Sequence, residues 1–123
     1  YRLVYTSRDF YENNPEAVLA FATASLKGWN AYVESAGATV HKHLASLNPQ
    51  QTPEFTSFTK QAIEEYQLVT GDQEKGEYLG KFDKQRLLLH LQHLSDLKLL
   101  DRELDIESVV AWELQEVARD LAN

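Results

Sequence analysis

Residues 15–35 read PEAVLAFATASLKGWNAYVES, and this stretch constrains the fold more than any other. Its polar positions Glu16, Thr23, Lys27, Asn30 and Glu34 recur at helical spacing and form one narrow stripe. Val18, Phe21, Ala22, Ser25, Leu26, Trp29, Tyr32 and Val33 cover the remaining faces. A helix apolar on most sides is buried on most sides, so other elements must surround it. Asn14 is placed to cap its first N–H groups, Pro15 suits the first helical position, and Glu16 complements the positive end of the dipole. Gly28, in the middle, costs roughly 1 kcal/mol against Ala. That cost implies close approach of a neighbouring backbone.

Before this helix stands YRLVYT, in which Tyr1, Leu3 and Tyr5 alternate with Arg2, Val4 and Thr6 at the period of a strand. No second segment of comparable quality is visible. A lone strand cannot satisfy its own backbone groups, and an unpaired edge is a template for another chain. Self-association through Tyr1 and Leu3 is therefore an expectation. The polar residues up to Asn14 read as a turn.

Four further helices are expected. Ala38 to Leu47 is a short one, ended by Asn48-Pro49. Thr52-Pro53-Glu54 repeats the cap, proline and acid signal and opens a helix whose apolar face is Phe55, Phe58, Ala62, Tyr66 and Val69. After a polar loop from Gly71 to Gly80, Asp83 caps a leucine-rich helix to about Leu100, centred on Leu87, Leu91 and Leu94. Asp105 caps the last, with Ile106, Val110, Leu114, Val117 and Leu121 as its stripe. Trp112 sits opposite that stripe, which makes it a candidate for a second contact surface. The residue pattern as a whole is one strand followed by about five helices, mainly α.

Composition narrows the function. The chain has no cysteine, which excludes a disulfide framework, a thiolate metal site and a cysteine nucleophile. A formal charge of −7 without a basic cluster argues against nucleic acid as a partner. No apolar run reaches membrane-spanning length. His41 and His43, two apart on a helix, point in different directions. His90 and His93, three apart, could share a face, but HLQH lacks further ligands; a half-buried His90 beside a solvated His93 is the simpler reading. Seven acids from Asp96 to Glu116 read as caps and a solvated face. No catalytic residue, cofactor or metal is expected. The absence of any Met, even at position 1, together with a start inside the strand, suggests a chain cut from something longer.

The segment TSRDFYENNPEAVLAFATASLKGWNAYVE resembles a motif of type II periplasmic solute-binding proteins, and looks closest to the thiamine-pyrimidine-precursor ("no message in thiamine") branch. The matching positions are Thr6, Ser7, Phe10, Asn14, Pro15, Glu16, Val18, Phe21, Leu26, Lys27, Gly28 and Trp29. GEYLGKFDKQRLLLHLQHLSDLKLL is similar to the family's C-terminal ending. The resemblance covers most of the chain and is specific mainly in residues 5–34.

It implies that residues 1–123 form one domain or fragment, with a strand at 1–6 and helices over 15–122. This would be the C-terminal part of a two-lobed α/β fold whose missing strands lie upstream. It further implies an extracytoplasmic or periplasmic domain that captures a small nutrient by lobe closure, working with a membrane permease for ABC import or with a signalling module. Tyr5, Thr6 and Ser7, where the chain would cross between lobes, are the expected ligand-binding residues. The cysteine-rich segment of the fungal pyrimidine synthases is absent, so no enzymatic activity carries over. The alternative is a self-associating helical interaction domain without a small-molecule ligand, with Tyr1, Leu3 and Trp112 at its interface.

Overall fold

The computed structural model describes residues 3–122. Among the described residues seven α-helices follow one another: α1 (Arg8–Asn13), α2 (Pro15–Glu34), α3 (Ala38–Leu47), α4 (Pro53–Glu65), α5 (Lys84–Asp96), α6 (Ile106–Val109) and α7 (Leu114–Ala122), with a 3-10 turn at Gln73–Lys75 between α4 and α5. No strand occurs among the described residues. The mainly helical expectation therefore holds, while a two-lobed α/β body is not part of this structure.

Three of the expected caps form as their local chemistry dictates. The side chains of Thr52, Asp83 and Asp105 accept from the backbone N–H groups of Phe55, Arg86 and Glu107 at 3.2, 3.0 and 3.0 Å. Asn14 does not: its amide nitrogen donates back to the Phe10 carbonyl at 3.3 Å, closing α1 instead of capping α2. Pro15 does occupy the start of α2.

The strand expected over residues 1–6 is corrected where it can be seen. Leu3 to Thr6 adopt no regular structure and are exposed, and Tyr1 and Arg2 lie outside the described residues. A strand needs a partner for its backbone groups. None is present among the described residues. The turn expected next is helical. Ser7 Oγ accepts from Phe10 N–H at 3.2 Å, and the Asn13 amide folds back onto the Asp9 carbonyl at 2.8 Å, which builds α1.

The packing is thin. α1 and α7 lie against α2, and α3 lies against α4. Asn30, from the polar stripe of α2, donates to the Leu121 carbonyl of α7 at 3.4 Å. So α2 turns part of its polar edge, together with Leu26, toward α7. Gly80 is wedged at this junction. A Cβ there would lie 2.8 Å from Leu26 Cδ2 and 2.9 Å from Ala118 Cβ, and its φ of +87° is a conformation that favours glycine. Ala118 at this junction and Ile106 of α6 are the buried apolar side chains among the described residues.

Two expectations for α2 are overturned. Trp29 is not core: 38% of it remains exposed. Gly28 meets no neighbouring backbone, since a Cβ there would find nothing within 4 Å. Both follow from one cause: α2 has neighbours on only part of its circumference. The surface area states the same fact globally. The chain exposes 9967 Å², whereas a compact monomer of 14.1 kDa exposes roughly 6,700 Å² by the usual surface-to-mass scaling, leaving an excess of roughly 3,200 Å².

Candidate functional site: an outward apolar surface and a buried polar seam

Of the residues proposed to contact a ligand, Tyr5 is 92% exposed and Thr6 is exposed beside it. Ser7 is occupied as the cap of α1. Arg8 fixes the base of this segment by donating to the Ser108 carbonyl at 2.6 Å. Leu3, expected at an interface, is exposed; Tyr1 lies outside the described residues. Among the described residues, no hydrogen bond, ion pair or ring contact joins Tyr5, Thr6 or Ser7 to Trp112.

Trp112 departs from its expected setting. The last stripe was read as one continuous helix, but Val110 is extended (φ −113°, ψ 127°) and ends α6 at Val109. The helical phase is reset before Leu114, and the indole turns inward. It is half-buried, Lys84 Nζ lies 5.8 Å from its ring centroid, and its enclosed Nε1 has no hydrogen-bond partner among the described residues.

The largest departure is α4. Phe55, Phe58 and Ala62 do share a face, with Tyr66 at the helix C-cap; Val69, expected on the same face, lies beyond the helix, which ends at Glu65. That face points to solvent: Phe55 and Tyr66 are exposed and Phe58 is 68% exposed. The inward side carries Thr56 and Lys60, both buried. Val40, Leu44 and Leu47, at i, i+4 and i+7 on α3, are exposed as well. Thus two adjacent helices present apolar stripes outward.

The inward side of α4 is fully engaged. Lys60 Nζ donates to the Val33 carbonyl in the last turn of α2 at 2.9 Å and pairs with Glu64 on its own helix. The last turn of α2 has no basic residue of its own, so Lys60 supplies the cation that the negative end of the helix dipole favours. The same ammonium lies 5.3 Å from the Tyr32 ring centroid. The Tyr32 hydroxyl meets His41 Nε2 at 3.0 Å, which ties α2 to α3. Burial, the largest influence, pushes the Tyr32 phenol up; Lys60 opposes this and Glu64 adds to it. Gly37 makes the corner possible. Its φ is +73°, and a Cβ there would stand 2.8 Å from His41 Nε2. This seam holds three helices together.

A shallow depression runs along Gln67, Thr70, Gly71, Asp72, Gln73 and Glu74, and another along Ser35 to Val40. In the first, Asp72 is paired with Lys75 at 2.6 Å, and that contact chiefly holds its carboxyl below the usual range. His41 and His43 diverge as expected, one bonded to Tyr32 and the other exposed. His90 and His93 are both exposed, so His90 is not half-buried. No cluster of three or more His, Asp or Glu that could hold a metal ion occurs among the described residues. No helix among them is long and apolar enough to cross a membrane. No family model, no curated protein and no solved structure matches this chain.

Proposed function

We propose that the chain is the helical part of an extracytoplasmic solute-binding or sensor domain. In this reading it captures a small nutrient, such as a thiamine pyrimidine precursor, for import or signalling, as one wall of a two-lobed cleft. The observation that carries it is the outward apolar surface: Phe55, Phe58 and Tyr66 of the α4 region and Val40, Leu44 and Leu47 of α3 are exposed, in a chain that exposes roughly 3,200 Å² more than a self-sufficient domain of this size. The TSRDF…NPE…LKGW resemblance supplies the identity of the missing cover, an α/β body. Tyr5, Thr6 and Ser7 then sit at the joint between the two parts. Arg8, anchored to Ser108, sets the direction in which the segment leaves the helices.

Thermal-shift screening of the whole protein with thiamine pyrimidines, sulfonates and amino acids tests the reading. It predicts a melting temperature that rises with the concentration of one ligand class, by mass action on the folded state. The isolated chain should show no such rise, because one wall does not make a cleft. A rise of equal size in the isolated chain would contradict this. A second reading, a self-associating helical interaction domain without a small-molecule ligand, is favoured by the outward stripe of α4. The coding sequence upstream separates the two: a signal peptide followed by an α/β region supports the first, and an initiator Met directly before Tyr1 supports the second.

A further inference from the structure

Residues 105–112 comprise α6, its cap Asp105 and the turn that follows, and irregular backbone precedes them over 99–104. The backbone bonds of this segment are local: the N–H groups of Ser108, Val110 and Trp112 donate to the carbonyls of Asp105, Ile106 and Val110. Two polar ties join it to distant parts of the chain. Arg8 Nη2 of α1 donates to the Ser108 carbonyl at 2.6 Å, and Lys84 Nζ at the start of α5 pairs with Glu107. Arg8, Lys84 and Glu107 are all exposed, and Arg8 also faces Glu12 of its own helix at 3.9 Å. Ties of this kind contribute little and weaken with salt. Ile106 is the buried residue of α6, while Val109 is exposed. The fixed part resumes directly afterwards, where Gln115 Oε1 of α7 accepts from the Phe82 N–H at 3.0 Å.

Trp112 ends the segment, and two effects act on it in opposite directions. The Lys84 ammonium, which Glu107 holds, stands 5.8 Å from its ring centroid and favours the closed arrangement. Its Nε1 is enclosed and has no hydrogen-bond partner among the described residues. An enclosed donor without an acceptor penalises the closed arrangement, whereas an open one lets the indole N–H reach water. A segment with local backbone bonds, one buried side chain and surface ties is of the kind that opens without global unfolding. We infer that residues 105–112 are a releasable strap, held at Arg8 and Lys84, that withholds Trp112 when closed and presents its indole when it lets go. Whatever competes for those two cations, salt included, shifts the strap toward the open form. The inference goes beyond the solute-binding reading and does not depend on it.

Native-state amide exchange of the 123-residue chain, read residue by residue, tests this together with acrylamide quenching. The chain has two tryptophans, so a Trp29→Phe background leaves Trp112 as the reporter. In that background Ser108, Val110 and Trp112 amides should exchange faster than those of α2 and α7. Arg8→Met and Glu107→Gln combined should speed them roughly fivefold further, the factor that corresponds to losing surface-strength ties. Both substitutions leave Lys84 in place, so the ring keeps its neighbouring amine. Acrylamide quenching of Trp112 should rise with the exchange rate. It should also rise in the unsubstituted strap at about 1 M sodium chloride, where the screening length falls to about 3 Å. Exchange in α2 and α7 should stay unchanged throughout. Amides of 106–112 that exchange only as fast as α2 and α7 overturn the inference, because the segment then opens only with the whole fold. Quenching that neither the double variant nor salt moves overturns it as well, since Arg8 and Lys84 then hold nothing. Equal acceleration of α2 and α7 in the double variant overturns it by making the two ties part of the general fold.

Discussion

Lys60 on α4 caps the last turn of α2 through the Val33 carbonyl, 27 residues earlier in the chain and 2.9 Å away. The contact spends a buried charge on a helix end and on the tilt of α4. Lys60→Met keeps most of the aliphatic stem and removes the ammonium, leaving the carbonyl without its donor. Urea unfolding should show a loss of about 1.5–3 kcal/mol, the range for a hydrogen bond to a charged group. A change within about 0.5 kcal/mol, as for ordinary surface substitutions, would show that the seam does not hold α4.

Gly80 and Gly28 make a matched pair. Gly80→Ala forces a methyl against Leu26 and Ala118 at a positive φ. Overpacking at that junction should cost about 1–3 kcal/mol. Gly28→Ala adds a methyl to an open helical site and should stabilise by about 0.5–1 kcal/mol. Thermal unfolding of the two variants, measured side by side, should shift in opposite directions. A destabilising Gly28→Ala would mean that something packs on that face of α2 even in the isolated chain.

Tyr32 gives a pH dependence with a definite sign. Burial raises its phenol above the ordinary value, so the folded state holds that proton more firmly than the unfolded chain does. Its contribution to stability is complete below the unfolded value, about 10, and is lost as pH rises through the higher folded value. Urea midpoints on the alkaline side should fall more steeply for the native chain than for Tyr32→Phe. Identical slopes would place the hydroxyl in solvent instead of against His41.

The sequence was legible wherever structure is decided within a turn of chain. Thr52, Asp83 and Asp105 cap because each needs only an N–H two or three residues away. Periodicity also grouped Phe55, Phe58 and Ala62 on one face of α4, with Tyr66 at its C-cap, but carried the face too far, to Val69, past the end of the helix at Glu65. It does not say which face turns inward; that is decided by Lys60, Val33 and Glu64, a contact set spread over 31 residues of chain. Trp112 was misplaced because one extended residue, Val110, resets the helical phase, and the β region it adopts is open to most residues and so leaves no strong residue signature. Residues 3–6 have strand chemistry without a strand, because pairing depends on a partner that the segment cannot specify alone. Ser7 and Asp72 were caps missed, accepting from the Phe10 and Glu74 N–H groups, although Asp9 two residues after Ser7 supplies the acidic first turn of a helix start.

Hydroxyl-radical footprinting tests the central claim, that the outward face of α3 and α4 is covered in the working state. Phe55, Phe58 and Tyr66 report directly, since aromatic rings label in proportion to their exposure. The account predicts strong labelling in the dilute purified chain and several-fold protection of all three in the protein as its native host makes it. Equal labelling of Phe58 in both preparations would contradict the account, because the apolar stripe would then be bare in the state that functions.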